Sequence, residues 1–297
     1  MNKYSRCISY LLNQKTNFIP HGNKFFFDHL LGTYNLLKKI GQEEDVCFAG
    51  LFHSIYGNDV FDKKTEIDRE KIKDLIGPKA EELVWTFNST PRTELEKNDT
   101  PEIKMLLLCN KLEQNTLFEV YDNLFDLHTL DTLYGEYRDY VPWRFIGAAD
   151  EANQNTWRKF QYILNKKKKI DKILFKEAHN ILRKNNLDKI VKLTRAYGNG
   201  NIYGTVHNIH LDDMAQNYNE VFTIMFYLNK EWFMHYGGET VFLTQDKNEI
   251  WKSVIPKPGR AILFDGFIPH AARELSRQCV ELRMVVSFKY SVNNVRT

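Results

Sequence analysis

No run in this 297-residue chain approaches the ~20 consecutive apolar residues that a membrane-spanning helix needs. That argues against a helical membrane protein. The opening residues, Met1 to Cys7, lack the apolar core of a signal peptide. Cysteine is scarce: Cys7, Cys47, Cys109 and Cys279 show no paired spacing, so a disulfide framework is not expected and a reducing compartment suits the chain. A cytoplasmic location is the expectation. Charge of one sign is also lacking. A net charge of +3 is too small to imply a nucleic-acid or membrane partner. The run Lys166 to Lys169 reads as a solvated face. Internal repeats are absent too.

What is present is a hydrophobic fraction of 43% and a charged fraction of 27%, ordinary for a globular protein. The length is enough for two domains with separate cores. Within it, His210-Leu211-Asp212 stands out. Side chains on a strand alternate faces, so His210 and Asp212 point the same way and Leu211 the other. A lone His270 ends the segment Pro256 to His270, whose apolar run Ala261 to Phe264 reads as a buried strand. Two imidazoles and one carboxylate on β-structure are the set that holds non-haem Fe(II) on one face and leaves the other open. His207 lies three residues before His210, and odd spacing assigns it to the opposite strand face as a supporting residue. The same parity excludes Asp213 as a ligand.

Residues 190 to 290 resemble the Fe(II)- and 2-oxoglutarate-dependent oxygenases of the prolyl-4-hydroxylase-like branch. The resemblance is carried by Arg195 to Gly200, Tyr203-Gly204, His210-x-Asp212, Thr223 to Asn229 and Trp232. It continues through Gly237 to Phe242, Pro258 to Asp265, Pro269-His270 and Leu282 to Phe288. It implies a double-stranded β-helix (jelly roll) with His210, Asp212 and His270 as iron ligands, and Fe(II), 2-oxoglutarate and O2 as cofactor and co-substrates. A basic residue should grip the far carboxylate of 2-oxoglutarate, a task suited to a guanidinium. In much of the family that residue follows the distal histidine by about ten positions, where Val280 stands here. Arg283 is the choice, with Arg273 and Arg277 as alternatives in a polar loop. Tyr203 resembles a family tyrosine that assists 2-oxoglutarate. Related halogenases carry a small residue where this chain has Asp212, so hydroxylation or desaturation is expected, with release of succinate and CO2.

The N-terminal half reads as helical. Phe26 to Gly41 has apolar residues three and four apart and stops at a glycine. Further helices are predicted over Asp45 to Gly57, Arg69 to Ile76, Pro78 to Asn88 and Glu102 to Asn115. Residues 20 to 115 resemble an HD-domain protein, in which a histidine on one helix and a His-Asp pair on the next bind metal. His29 and His53 match the two histidines. Ser54 stands where the paired aspartate belongs, and Asn110 where the later one does. The loss of both acids implies a degenerate site without a dinuclear centre, in which His29 and His53 line a pocket, take one metal with His21 or Asp59, or hydrogen-bond within the bundle.

The expectation is therefore an α+β, two-domain chain. It has an all-α HD-like bundle over residues 1–130, a linker and helix over 131–170, and a β-helix domain with flanking helices over 171–297. Tyr134 to Trp143 reads as a loop, Ala149 to Leu164 as a helix, and Ile170 to Asn186 as an amphipathic helix. The functional expectation is hydroxylation of a small metabolite. Hydroxylation of a protein side chain and an HD-type phosphohydrolase or oxygenase in the first half are the alternatives, and the oligomeric state is left open.

Overall fold

The computed structural model describes residues 2–21, 24–57, 67–114, 117–150, 155–205, 207–212 and 221–292. Two compact units divide between Asn115 and Thr116, the second running to Val292. The expected boundary near residue 130 is thus placed too late.

The first unit consists of helices α1 (Lys3–Asn13), α2 (Phe26–Lys39), α3 (Glu44–Phe52), α4 (Arg69–Ile76), α5 (Pro78–Ser89), α6 (Arg92–Leu95) and α7 (Pro101–Glu113), with a small hairpin of β1 (Pro20–His21) and β2 (Lys24–Phe25). In α2 the buried positions Phe26, Leu30, Thr33 and Leu37 recur at helical spacing and face α3 and α7. The helix ends as expected at Gly41, whose φ of 75° lets Gln42 N–H reach back to Leu37 O at 3.0 Å. α3 is shorter than its apolar run suggested. It stops at Phe52, and Ile55 N–H closes a tight turn on Phe52 O at 2.8 Å.

The second unit contains β3 (Phe118–Tyr121), α8 (Leu127–Gly135), β4 (Arg144–Asp150), β5 (Asn155–Ile163), α9 (Lys169–Lys184), β6 (Val191–Asn201), β7 (Val221–Tyr227), β8 (Thr240–Leu243), β9 (Ile250–Val254), β10 (Ala261–Asp265), β11 (His270–Ala272) and β12 (Arg283–Val292). A seven-stranded sheet has the order β3-β10-β7-β12-β6-β5-β4, and a three-stranded sheet the order β11-β8-β9. All pairings are antiparallel. Met225, Tyr227, Phe242, Ile262, Phe264 and Val285, drawn from both sheets, form the core between them. This is the architecture of a jelly roll.

Three expectations fail in the segment before α9. Residues 131–170 are no linker: β4 and β5 extend the large sheet, β5 pairing with β6 from Phe160↔Gly200 to Ile163↔Tyr197. Within the helix expected over Ala149 to Leu164, Asn155–Ile163 is strand. Local helical periodicity was overridden by pairing with the long β6 ladder. Tyr134 to Trp143 is largely helical, as the end of α8 and one π-helical turn over Glu136–Tyr140. α9 forms as expected. Its fully buried Asp171 accepts hydrogen bonds from Tyr137 Oη, Tyr162 Oη and the Asn165 amide, each at 2.7 Å, tying the helix to β5 and the π turn.

Removing that carboxylate leaves two buried tyrosine hydroxyls and the Asn165 amide without their acceptor. Asp171→Ala is expected to lower the unfolding free energy by about 3 kcal/mol. Denaturant unfolding followed by circular dichroism measures it, and a change under about 1 kcal/mol would refute the role.

Candidate active site

His210 and His270 are brought side by side by their own backbones. Each amide donates to the other's carbonyl at 3.0 Å, an isolated antiparallel bridge, and Asp212 N–H continues it to Gly266 O at 2.8 Å. The imidazole centroids are 4.5 Å apart. His210 Nδ1 lies 3.0 Å from Asn208 O, and His270 Nδ1 lies 2.8 Å from Ile268 O. A carbonyl can only accept, so each Nδ1 carries a proton, and a ring that holds no second proton presents the lone pair of its Nε2. The two Nε2 atoms face Asp212 Oδ1, at 3.7 Å from His210 and 3.4 Å from His270. His270 is fixed further by Phe264, edge-on at 4.8 Å, and Phe242, stacked at 5.8 Å.

Among the described residues these three are the one cluster of His, Cys, Asp or Glu whose ligand atoms lie close enough to share a metal, all within 4.8 Å. Ligands about 2.1 Å from one ion and at right angles lie about 3 Å apart. The observed spacings are slightly wider, so the set fits a divalent ion after a small closure. Two neutral imidazoles and a carboxylate are also the donor types that suit Fe(II).

The charges are consistent with that use. Burial, with His270 beside it, pushes His210 down to about 4, so it stays neutral at pH 7. Burial alone would raise Asp212, but His270 and Lys289 hold it well below the usual carboxylate range. Its second oxygen, Oδ2, accepts from Thr223 Oγ1 at 2.5 Å and pairs with Lys289 Nζ.

Arg283 lines the same pocket. It is 1% exposed; its Nε donates to Gly238 O at 2.6 Å and its Nη2 to Thr240 Oγ1 at 2.9 Å. Gly238 has φ 72°, and a Cβ there would come within 3.1 Å of Arg283 Cδ, so glycine leaves room for the arginine. Of the three candidate arginines, only Arg283 lines the inner pocket. Arg277 Nε donates to Tyr203 Oη at 2.9 Å, and Arg273 lies 4.0 Å from Glu239 in an outer cleft.

Two sequence expectations are corrected here. Tyr203 is 46% exposed and held by Arg277, away from the inner pocket. The tyrosine beside Arg283 is Tyr227, fully buried, with its hydroxyl 2.7 Å from Thr240 Oγ1. His207 is not turned away. It lines the pocket with Nε2 2.6 Å from Asn201 Nδ2, because residues 207–209 are irregular and strand parity does not apply to them. Burial, with Arg283 and Lys159 near, pushes His207 down to about 3. Asp213 lies outside the described residues. Thr223, Tyr227 and Lys289 were missed by sequence reasoning. Counting in twos back from Lys289 along β12 through Ser287 and Val285 to Arg283 was the available signal.

In the first unit, His29 and His53 are fully buried and adjoin, Nε2 to Nε2, at 3.0 Å. His53 Nε2 also lies 3.0 Å from Asn110 Oδ1, and its Nδ1 lies 2.7 Å from Gly50 O. His29 Nδ1 pairs with Glu113, and the His21 ring stacks on His29 at 4.4 Å. Ser54 is buried nearby in sequence, and Asp59 lies outside the described residues. Burial, with His29 alongside, pushes His53 down to about 3.

Residues 195–291 match the family model of the 2OG-Fe(II) oxygenase superfamily. The C-terminal part of the chain is a 2OG-Fe(II) oxygenase domain. The oxygenase domain is that of a dioxygenase working with Fe(II), 2-oxoglutarate and O2, and its His-Asp-His site is present. Residues 10–92 match a family described as a domain of unknown function, DUF6817. No curated protein matches the chain.

Among solved structures, the chain is similar to a Pseudomonas putida prolyl-4-hydroxylase, with 16% identity, 60% of this chain and 93% of that one covered, and TM-score 0.45. It is similar to a Trichoplax adhaerens prolyl hydroxylase in complex with a hypoxia inducible factor peptide fragment, at 15% identity, 68% and 91% coverage, and TM-score 0.47. HygX from Streptomyces hygroscopicus, with nickel, 2-oxoglutarate and hygromycin B bound, is similar at 13% identity, 60% and 84% coverage, and TM-score 0.41.

His207 and His210 both have folded values below the ordinary 6.5. Between pH 6.5 and about 4 the unfolded oxygenase domain therefore binds protons that the folded one does not. Their stabilisation is full above pH 6.5 and falls with pH below it. Lowering the pH from 7 to 5 is expected to cost about 2 kcal/mol per histidine, less in His207→Asn. Chemical denaturation of the metal-free protein at the two values measures this, and equal stabilities would overturn it.

Proposed function

We propose that the oxygenase domain hydroxylates, or desaturates, a small-molecule substrate, with His210, Asp212 and His270 holding Fe(II) and Arg283 binding the distal carboxylate of 2-oxoglutarate. One observation carries the reading. Two imidazoles and one carboxylate whose ligand atoms lie within 4.8 Å of one another share a pocket with a buried guanidinium.

The Fe(II), when bound, supplies the oxygen activation that couples decarboxylation of 2-oxoglutarate, to succinate and CO2, with oxidation of a substrate C–H bond. The protein does the rest. Thr240 and Tyr227 orient Arg283 for a two-point grip on a carboxylate. The paired backbones of His210 and His270 fix the imidazoles, and the aromatic wall of Phe242 and Phe264 keeps water from that side. Asp212 fills the third ligand place with a carboxylate, which favours hydroxylation or desaturation over halogenation.

The substrate reading rests on an outer cleft of about 670 Å³ that shares His207 and Ala272 with the inner pocket. That volume lies within the roughly 300–1,000 Å³ typical of small-molecule sites. A protein side chain is the alternative substrate. We read the N-terminal unit as an HD-like bundle with a degenerate metal site. Ser54 and Asn110 stand in place of the two acids, and His29 and His53 spend their ring nitrogens on each other, Asn110, Glu113 and Gly50.

Succinate release from 2-oxoglutarate should require Fe(II) and fall at least about a hundredfold in His210→Ala and Asp212→Ala. Full turnover in the Asp212 variant would sink the assignment. Arg283→Met should raise the 2-oxoglutarate concentration for half-maximal rate about tenfold or more, the equivalent of one charge-assisted hydrogen bond. Stimulation of decarboxylation by candidate metabolites and by peptides separates the two substrate classes. Metal analysis of the His270→Ala protein tests the first unit: less than two equivalents is expected, and two would restore a dinuclear centre.

A further inference from the structure

Asp212 presents its two oxygens to different neighbours. Oδ1 faces the Nε2 atoms of His210 and His270. Oδ2 is held by Thr223 Oγ1 at 2.5 Å and by Lys289 Nζ. The Asp212 side chain is 3% exposed and that of Lys289 8%, so this is a buried ion pair inside the jelly roll. A lysine there is costly to desolvate and is tolerated only when paired, and an apolar side chain of similar length would fill the same space without that cost. The ammonium is therefore kept for what it does to Asp212.

Its placement is set by the sheet. Lys289 lies directly opposite Thr223 across β12 and β7, so both donors reach the same carboxylate oxygen from neighbouring strands. Along β12, Arg283, Val285, Ser287 and Lys289 share the pocket face. At Lys289 the register with β6 slips by one residue, and Thr194 Oγ1 donates to Lys289 O at 2.9 Å, which fixes the backbone where the ammonium leaves it.

We propose that Lys289, with Thr223, is a positioning residue of the iron site: together they occupy Asp212 Oδ2, so that the carboxylate offers the metal a single oxygen and leaves the remaining positions to 2-oxoglutarate and O2. This rests on the iron-site reading above. A carboxylate released from Lys289 is free to chelate through both oxygens. It would then take a position that the co-substrate needs, or turn Oδ1 away from the two imidazoles.

The test uses Co(II) as a spectroscopic substitute for iron in the full-length protein, with binding followed by calorimetry and by the visible absorption of the bound ion. Lys289→Met is expected to change the absorption bands of bound Co(II), as Asp212 alters its grip on the ion, and to weaken subsequent 2-oxoglutarate binding about tenfold or more. Lys289→Arg, which keeps a cation, should recover much of the loss, and Thr223→Val should show a smaller loss in the same direction. Circular dichroism and melting of the metal-free variants establish folding; if Lys289→Met does not fold, Thr223→Val carries the test alone. A wild-type Co(II) spectrum with wild-type 2-oxoglutarate binding in Lys289→Met, or in Thr223→Val where only that variant folds, overturns the proposal. His210→Ala separates the two readings. If it binds Co(II) as the wild type does, the iron site itself is wrong, whereas loss in His210→Ala with no change in Lys289→Met leaves the site intact and removes only the role of Lys289.

Discussion

A carboxylate almost fully removed from water stays ionised only where donors and cations surround it, and the inner face of the jelly roll is arranged around that requirement of Asp212. Burial works against its charge, and His270, Lys289 and Thr223 work for it. These partners come from three different strands, so the carboxylate depends on the sheets being assembled in register. The metal site is in this sense a property of the whole second unit, although only two of its three ligands are close in sequence.

Register also explains the arginine. Arg283 sits opposite Asn201 at the start of β12, and that pairing puts its guanidinium beside Thr240. Its separation from His270 along the chain is filled by residues 273–282, which lie outside any strand. The length of that connection can change without moving the arginine in space. The departure from the expected spacing thus falls within that connection.

The chemistry was more legible than the architecture. His210 and Asp212 were readable because a two-residue offset has a simple geometric meaning, and His270 because it closes an apolar run that could only be an interior strand. Strand parity misled at His207, since the residues around it follow no strand and the bridge begins only at His210. Lys289 escaped notice inside Val286 to Tyr290, where a lysine looks like an outward residue of a half-exposed strand; β12 is buried on both faces. Strands β4 and β5 have no local signature, because β5 pairs with β6, which lies downstream, and β4 pairs only with β5. In the first unit the helices and the glycine stop were visible in periodicity. The contacts of His29 with Glu113 and of His53 with Asn110 join α2 and α3 to α7 and have no sequence signature.

β3 occupies one edge of the seven-stranded sheet, immediately after the division between the units, and β10, whose five residues are all buried, lies next to it. A shortened protein beginning near residue 130 would keep every residue of the oxygenase motif and yet strip this edge strand. One beginning near residue 170 would also remove β4 and β5, and so uncover a second ladder on β6. Both would present unpaired backbone along apolar strands, the arrangement that recruits other chains edge to edge. Insolubility of such a fragment would report on its new edges and not on the catalytic residues, and a start at or before Thr116 is the one that keeps all seven strands.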